Sequence, residues 1–449
     1  MDNRPKNVVW VLVDQMRAQA MSHRGDPNIN TPNLDKLSVD GVSFNSAVSG
    51  APLCSPFRGS LLTGKYPHQS SVPGLGSPMS TEIPTVAHAF NESGYNTCWI
   101  GKWHLDGERP ELDMSLAENH QTRRVIPEER RGGFQDWWAY ENNNNPFNCT
   151  IHTGDNENTQ SYRLPGYETD DLTDLLIDYM TTQKEQEDPF FAVLSVQPPH
   201  NPYLAPAENM AKFNPASMQL RPNVPESSSV KERARRELAG YYAAIDRIDF
   251  NLGRILKALR NLEIDQDTYI IFFSDHGDML GSHGHFRKTV PWEESIRIPF
   301  IVGGGEIEAQ NSEPRENDYL INHVDIAPTT LGLCGINKPK GMVGYDYSKS
   351  ILHPGSDTNA PDSAYIGLPV PSDKGYSVDR PYRGVITQDG WKYTSFENGP
   401  WQMYNLNEDP YEQVNLAIHT RHRPMKKKLN DRLKKWVEST GDDFQLPNI

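Results

Sequence analysis

The 449 residues, 23% charged and 10% aromatic, fit a polar globular protein of two to four domains, or one large α/β core with a smaller partner. That aromatic content excludes wholesale disorder, and no glycine rhythm or recurring block points to a collagen-like or repeat architecture. Forty-four Lys and Arg against 59 Asp and Glu leave a net charge of −15, a field that repels nucleic acid and anionic membranes, so an anionic substrate needs a local basic pocket.

The chain passes at once into the apolar run 8–13, too short for a secretory leader or a membrane span. The expectation is a soluble protein, cytoplasmic, or periplasmic or secreted if a leader has been removed. Further apolar runs at 95–100, 190–196, 268–273 and 298–302 lack strict alternation and read as strands buried on both faces of a mostly parallel sheet. Among the helical segments, Thr31-Pro32 opens a short one that Gly41 stops. Leu238, Tyr242, Ile245, Ile248, Leu252, Ile255 and Leu259 line one face of a long helix over about 229–262. This alternation argues for an α/β layered core reaching to about residue 345.

Asn142 to Asn145 read as a surface loop, with a lid or substrate loop as the alternative. Residues 353–380, rich in Pro, Gly, Ser and Asp, read as a connection. After it, 382–387, 391–396 and 401–406 form an antiparallel meander, and 424–438 a closing helix with Met425, Leu429, Leu433 and Trp436 on one face and solvated lysines on the other. The division expected is a catalytic domain at 1–350 and a C-terminal α/β subdomain at 351–449. Cys54, Cys98, Cys149 and Cys334 are too scattered for a disulfide framework, which leaves reduced thiols or one special cysteine.

Parallel strands end on a common edge, where ligands bind in such sheets. Asp14 and Gln15 follow the first strand, and Asp275 and His276 follow the run 268–273, so two carboxylates, an amide oxygen and an imidazole can meet there as a divalent metal site. The competing reading is that each Asp merely caps the segment after its strand. Pro56 suits the first turn of a helix, which puts Cys54 at that helix's N-terminal end, where the dipole lowers a thiol pKa; a buried inert cysteine is the alternative.

Cys54-x-Pro56-x-Arg58 followed by Leu62-Thr63-Gly64 resembles the signature of the type I sulfatases of the alkaline phosphatase superfamily. Gly101-Lys102-Trp103-His104 is similar to that family's catalytic Lys/His segment, and Gln197-Pro198-Pro199-His200-Asn201-Pro202-Tyr203 to its strand-terminal histidine loop. Phe273-Ser274-Asp275-His276-Gly277-Asp278 resembles its second metal segment, and Lys288 with Glu294-Ser295-x-Arg297-x-Pro299 its downstream lysine block. Lys392-Tyr393 and Tyr404-Asn405-Leu406-x-x-Asp409-Pro410-x-Glu412-x-x-Asn415-Leu416 look like its small C-terminal subdomain. The blocks keep the family's order from residue 8 to about 417.

The resemblance implies a large, mostly parallel sheet flanked by helices, a small C-terminal subdomain, and hydrolysis of a sulfate ester. It implies that Cys54 is oxidised to formylglycine by a sulfatase-maturing enzyme, and that the hydrated aldehyde is the nucleophile. A divalent metal, Ca²⁺ by family with Mn²⁺ or Mg²⁺ as alternatives, is then held by Asp14, Gln15, Asp275, His276 and residue 54. Asp275 takes the nucleophile's proton, and Lys102 and Arg58 orient the diol. Lys288 and His200 contact sulfate, with His200 the preferred acid for the leaving oxygen, and His104 deprotonates the second hydroxyl. His283 and Arg17, beside the metal segments, are candidates for substrate contact, with structural roles as the alternative. Arg297 reads as half of a structural ion pair.

The common family pattern pairs Asp with Asp and Asp with Asn, whereas this chain has Asp14-Gln15 and Asp275-His276. One carboxylate fewer weakens the pull on Ca²⁺, and an imidazole tolerates softer ions. The combination also resembles the phosphonate monoester hydrolase and choline sulfatase branches. The leading expectation is removal of sulfate from a sulfated carbohydrate. The rivals are a formylglycine-dependent phosphodiesterase and an inactive homologue that only binds sulfated glycans.

Overall fold

The computed structural model describes residues 5–109, 111–113, 115–117, 120–307, 315–353, 355–356, 359–372, 375 and 378–449. Ten strands form one sheet: β1 (Asn7–Val13), β2 (Val42–Phe44), β3 (Asn96–Lys102), β4 (Asp136–Tyr140), β5 (Thr150–Thr153), β6 (Gln160–Arg163), β7 (Phe190–Val196), β8 (Thr268–Ser274), β9 (Phe300–Gly304) and β10 (Arg315–Asn317). Their order is β10-β2-β9-β8-β1-β7-β3-β4-β5-β6. The five central strands from β8 to β4 run parallel, while β2 and β8 each pair antiparallel with β9, and β5 antiparallel with β4 and β6. The sheet is therefore mixed at both margins and parallel where it matters for the site.

The unbroken apolar runs have a physical cause visible in β1. Val8, Trp10 and Leu12 face one core, with Phe57 and Leu61 of the helix Cys54–Thr63 and Ile326 and Leu331 of the helix Ile326–Leu333. Val9, Val11 and Val13 face the other, with Leu238, Ile245 and Leu252 of the helix Ser228–Asn261 and Leu172 and Leu176 of the helix Glu168–Gln186. Side chains alternate across a strand, and with both faces covered every position from Val8 to Val13 is buried. Trp10 meets Phe191 and Phe273 edge-on at centroid separations of 4.8 and 5.5 Å, tying β1 to both neighbours.

The second sheet is a four-stranded antiparallel meander, β11 (Ser363–Leu368), β12 (Tyr382–Thr387), β13 (Trp391–Phe396) and β14 (Gly399–Asn405). Tyr365, Val385, Tyr393 and Met403 pack on Leu429, Leu433 and Val437 of the closing helix Arg423–Thr440. The segment expected as a connection over 353–380 thus contains a buried strand, whose six residues lie among the Pro, Gly and Ser that suggested a loop. The long helix and the closing helix fall within two residues of their expected bounds. Among the described residues, no helix is long and apolar enough to cross a membrane, and all four cysteines are free thiols.

Candidate active site

Register decides which side chains meet. Val13 pairs with Ser274 on one side and Val196 on the other, and Gly101 of β3 pairs with Ser195 of β7. Asp14, Lys102, Gln197 and Asp275 therefore emerge on one edge of the sheet. Gly101 is required: at φ +102°, a Cβ there would sit 2.0 Å from Ser195 O. Gly277 is required for the same reason, since a Cβ would lie 2.0 Å from Glu294 O. Gln15, His104, Arg287 and Thr289 all take left-handed φ of +74°, +60°, +73° and +77°, a concentration of strain next to the expected catalytic segments.

Into this edge the helix Cys54–Thr63 points its N-terminus, with extended Leu53 before it, so Cys54 occupies the first turn. The thiol is 2% exposed. Around Sγ lie Lys288 Nζ at 3.0 Å, His276 Nε2 at 3.2 Å and Asp14 Oδ1 at 3.7 Å. Lys102 Nζ pairs with Asp14 Oδ2 at 2.7 Å, and Arg58 lies 3.5 Å from Asp14 Oδ2 and 3.6 Å from Asp275 Oδ2. The Arg58 guanidinium is fixed from behind by donating through Nη1 to Lys102 O and Ser195 Oγ, both at 2.9 Å, while Ser195 Oγ donates to Lys102 O at 2.8 Å.

A divalent cation fits this donor set. Ligand atoms of Asp14, Cys54, Asp275 and His276 all lie within 4.8 Å of one another. Buried Asp275 Oδ2 accepts no hydrogen bond, and burial, reinforced by the Asp14 charge, raises the Asp275 carboxyl to about 6. His276 Nδ1 must donate to Gly277 O at 3.0 Å, which leaves the Nε2 lone pair turned to the group. Burial holds this imidazole neutral, down to about 4. Burial pushes Asp14 up, but Lys102, with His200, Lys288 and His276, outweighs it and keeps that carboxyl well below its ordinary range.

His104 and His200 are half-buried. Both are held well below the usual imidazole value, by burial first and then by Lys102 and Arg58 for His104 and by Lys288 for His200. His200 Nδ1 donates to Asn201 O at 2.6 Å, so Nε2 is its available atom. The structure thus brings together Asp14, Gln15, Cys54, Arg58, Lys102, Asp275, His276 and Lys288, with His104 and His200 in the same field of charge.

Two further expected residues make contacts of their own. Arg17 is buried and donates to Tyr242 OH at 3.0 Å. His283 stacks on Trp292 at 4.8 Å and groups with Glu294 and Glu412. That second acidic group is already neutralised, Glu294 by Arg221 at 2.7 Å and Glu412 by Lys392. Arg297 pairs with Glu293 at 2.8 Å, the structural ion pair expected of it. Sequence reasoning assigned nothing to Ser195, which holds the Arg58 and Lys102 ends together, or to Asp278, whose carboxylate takes the Gln15 amide at 2.6 Å. Asp278 stands inside a quoted motif, where a second acid three residues past Asp275 was the available signal.

Residues 6–336 match the family model described as Sulfatase, and residues 281–439 match that of the N-sulphoglucosamine sulphohydrolase C-terminal region. An ulvan-active sulfatase of Formosa agariphila is 35% identical, over 98% of this chain and 82% of its own. An endo-4-O-sulfatase of Bacteroides thetaiotaomicron is 30% identical, over 95% of this chain and 92% of its own. A solved structure of the yidJ protein from Bacteroides fragilis superposes with a TM-score of 0.87 at 28% identity, covering 98% of this chain and 97% of that one. With the cysteine at its helix terminus, the acids at the strand ends and these matches along nearly its whole length, the chain belongs to the sulfatase family of the alkaline phosphatase superfamily, hydrolases of sulfate esters.

Proposed function

We propose that this chain removes sulfate from a sulfated carbohydrate, using the oxidised side chain of residue 54 as nucleophile. The observation that carries the reading is the placement of Cys54 Sγ between Lys288 Nζ at 3.0 Å and the acids and imidazole of the cation group. The relatives named for ulvan and for endo-4-O-sulfate support a carbohydrate. Residues 1–350 carry the catalytic unit in this reading and 351–449 the subdomain.

Asp14, Gln15, Asp275 and His276 would hold the cation, Ca²⁺ by family analogy. When present, the cation and the hydrated formylglycine supply a polarised sulfate oxygen and an ionisable hydroxyl for attack on sulfur. The chain's own groups do the rest. Lys288 neutralises charge on the nonbridging oxygens, and Lys102 and Arg58 hold the residue 54 oxygens in place. Asp275 Oδ2, lacking any hydrogen-bond donor, takes the nucleophile's proton. His200 uses its Nδ1 proton on Asn201 O and presents Nε2 to the leaving oxygen. Its lowered proton affinity makes it a strong acid once a bound anion has charged it. His104 serves as the base for the second hydroxyl.

A second reading, phosphonate monoester or phosphodiester hydrolysis, is favoured by the Asp14-Gln15 and Asp275-His276 donor set. Mass spectrometry of the Cys54 peptide after co-expression with a sulfatase-maturing enzyme, followed by rates on aryl sulfate, aryl phosphate, aryl phosphonate and defined sulfated saccharides, tests both. Formylglycine together with saccharide desulfation is the expected result. A phosphonate rate far above the sulfate rate selects the second reading, and absence of formylglycine selects a binding protein without turnover.

A further inference from the structure

Asp278 is fully buried, and both of its oxygens are filled. Oδ1 accepts from Leu280 N at 3.0 Å and Arg287 N at 2.9 Å, and Oδ2 accepts from Gln15 Nε2 at 2.6 Å and Tyr203 OH at 2.5 Å. Tyr203 OH is backed in turn by Arg287 Nη1 at 2.6 Å, whose guanidinium pairs with Glu237 at 2.6 Å. The second Gln15 amide hydrogen points to Asn201 Oδ1 at 3.3 Å. A carboxylate only accepts, so these contacts settle which end of the amide faces which way. Its NH₂ turns to Asp278 and its Oε1 to Lys288 Nζ, 3.0 Å away, the same ammonium that lies 3.0 Å from Cys54 Sγ.

We propose that Asp278 is a positioning residue for the reaction. It locks the Gln15 amide so that Oε1, and never the NH₂, faces the residue 54 group, and through that oxygen it holds Lys288 in place. Where a carboxylate at position 15 would bind Lys288 directly, this chain keeps the negative charge one hydrogen bond further out and presents a neutral oxygen inside. A flipped amide would turn two N–H donors on an ammonium. The inference rests on the reading of residue 54 as nucleophile and Lys288 as a sulfate contact.

A charge-exchange cycle tests it, using Asp278→Asn, Gln15→Glu and the double variant in the full-length matured enzyme, with whichever aryl ester the wild type turns over. Asn at 278 keeps an acceptor for Leu280 N and Arg287 N but meets the Gln15 NH₂ with its own. Gln15→Glu sets carboxylate against carboxylate. Each single variant is expected to lose about 10- to 100-fold in kcat/KM, the scale of a hydrogen bond to a charged group. The double variant restores one donor facing one acceptor and is expected to recover to within about ten-fold of wild type.

A merely structural Asp278 gives multiplied losses instead, and a double variant no better than Gln15→Glu overturns the proposal even if Asp278→Asn alone fails to fold. A readout independent of turnover is Mn²⁺ affinity of the metal-free protein, followed by electron paramagnetic resonance. It is expected to weaken about ten-fold in Asp278→Asn, and unchanged affinity there also overturns the proposal. Because this measurement needs no substrate, its outcome stands apart from any failure of the sulfatase reading.

Discussion

Lys102 Nζ lies 2.7 Å from Asp14 Oδ2 with both side chains withdrawn from water, an ion pair at the end of β3 and β1 that no solvent screens. The ammonium is the largest influence keeping Asp14 ionised against its burial. Lys102→Met is expected to lower kcat by about 10²- to 10³-fold, the cost of one lost electrostatic contact to the reacting group. Lys102→Arg is not expected to rescue, because a planar fork cannot replace a compact ammonium in a site already filled by Arg58. Initial rates at saturating ester decide it, and a Lys102→Met rate within ten-fold of wild type contradicts the placement.

Cys54→Ala is expected to abolish ester hydrolysis while leaving the melting temperature within about 5 °C, since the thiol is small and its loss opens little space. Parallel melting curves and rate assays provide the check. Retained turnover in the alanine variant would show that another group performs the attack.

Chelation followed by add-back probes the cation group. Without a cation, Asp275 Oδ2 has no donor and faces the field of Asp14. Dialysis against a chelator is expected to lower both activity and melting temperature, and Ca²⁺, Mn²⁺ and Mg²⁺ restored one at a time rank the ions. Asp275→Asn is expected to weaken the best ion at least about ten-fold in a competition titration. Full activity after exhaustive chelation would mean that the four ligand atoms hold nothing the reaction uses.

Glu168 gives a pH dependence of stability with a defined sign. Its Oε1 accepts from Tyr140 OH at 2.5 Å and Gln197 N at 2.8 Å, while buried Oε2 has no partner. Burial, opposed by those two hydrogen bonds, raises the carboxyl from 4.5 to about 7. The folded protein therefore holds this proton more tightly than the unfolded chain does. The stabilisation is complete below about pH 4.5 and is lost as pH rises through about 7. Glu168→Gln keeps the Oε1 acceptor and removes the charge, so it is expected to exceed wild-type stability above about pH 8, by up to about 3 kcal/mol. Below about pH 5 the two should converge. Melting curves across this range that stay parallel would refute the assignment.

Much of this arrangement can be read from the chain. Four of the five central strands, β1, β3, β7 and β8, announce themselves because two cores leave no polar face, whereas β4, whose first and third residues are only half-buried, gives no such run. Asp14 and Asp275 stand where such strands stop. What escapes is set by partners distant in sequence. Ser195 is one small residue inside an apolar strand, and only the register of β3 on β7 shows it clasping Arg58 to Lys102. Asp278 has no visible purpose until the fold delivers Gln15 from 263 residues away. Strands β2 and β10 have three residues each, too few for any period to register, and β11 is masked by its turn-forming surroundings. Arg17 and His283 follow the metal segments closely in sequence, and the structure gives them contacts with Tyr242 and with Trp292.

The burial of Cys54 has a consequence for timing during synthesis. Every residue of the helix Cys54–Thr63 is buried in the finished protein, and β1, which helps cover it, is flanked by β7 and β8. No ribosome has yet made β8 until residue 274 is added, so the sheet edge that closes over the thiol is incomplete for more than 200 residues of elongation after Cys54 emerges. If residue 54 is oxidised as proposed, the oxidising enzyme is expected to have a working interval that opens with the nascent segment and shuts when the last central strand docks, and slower translation is expected to lengthen it.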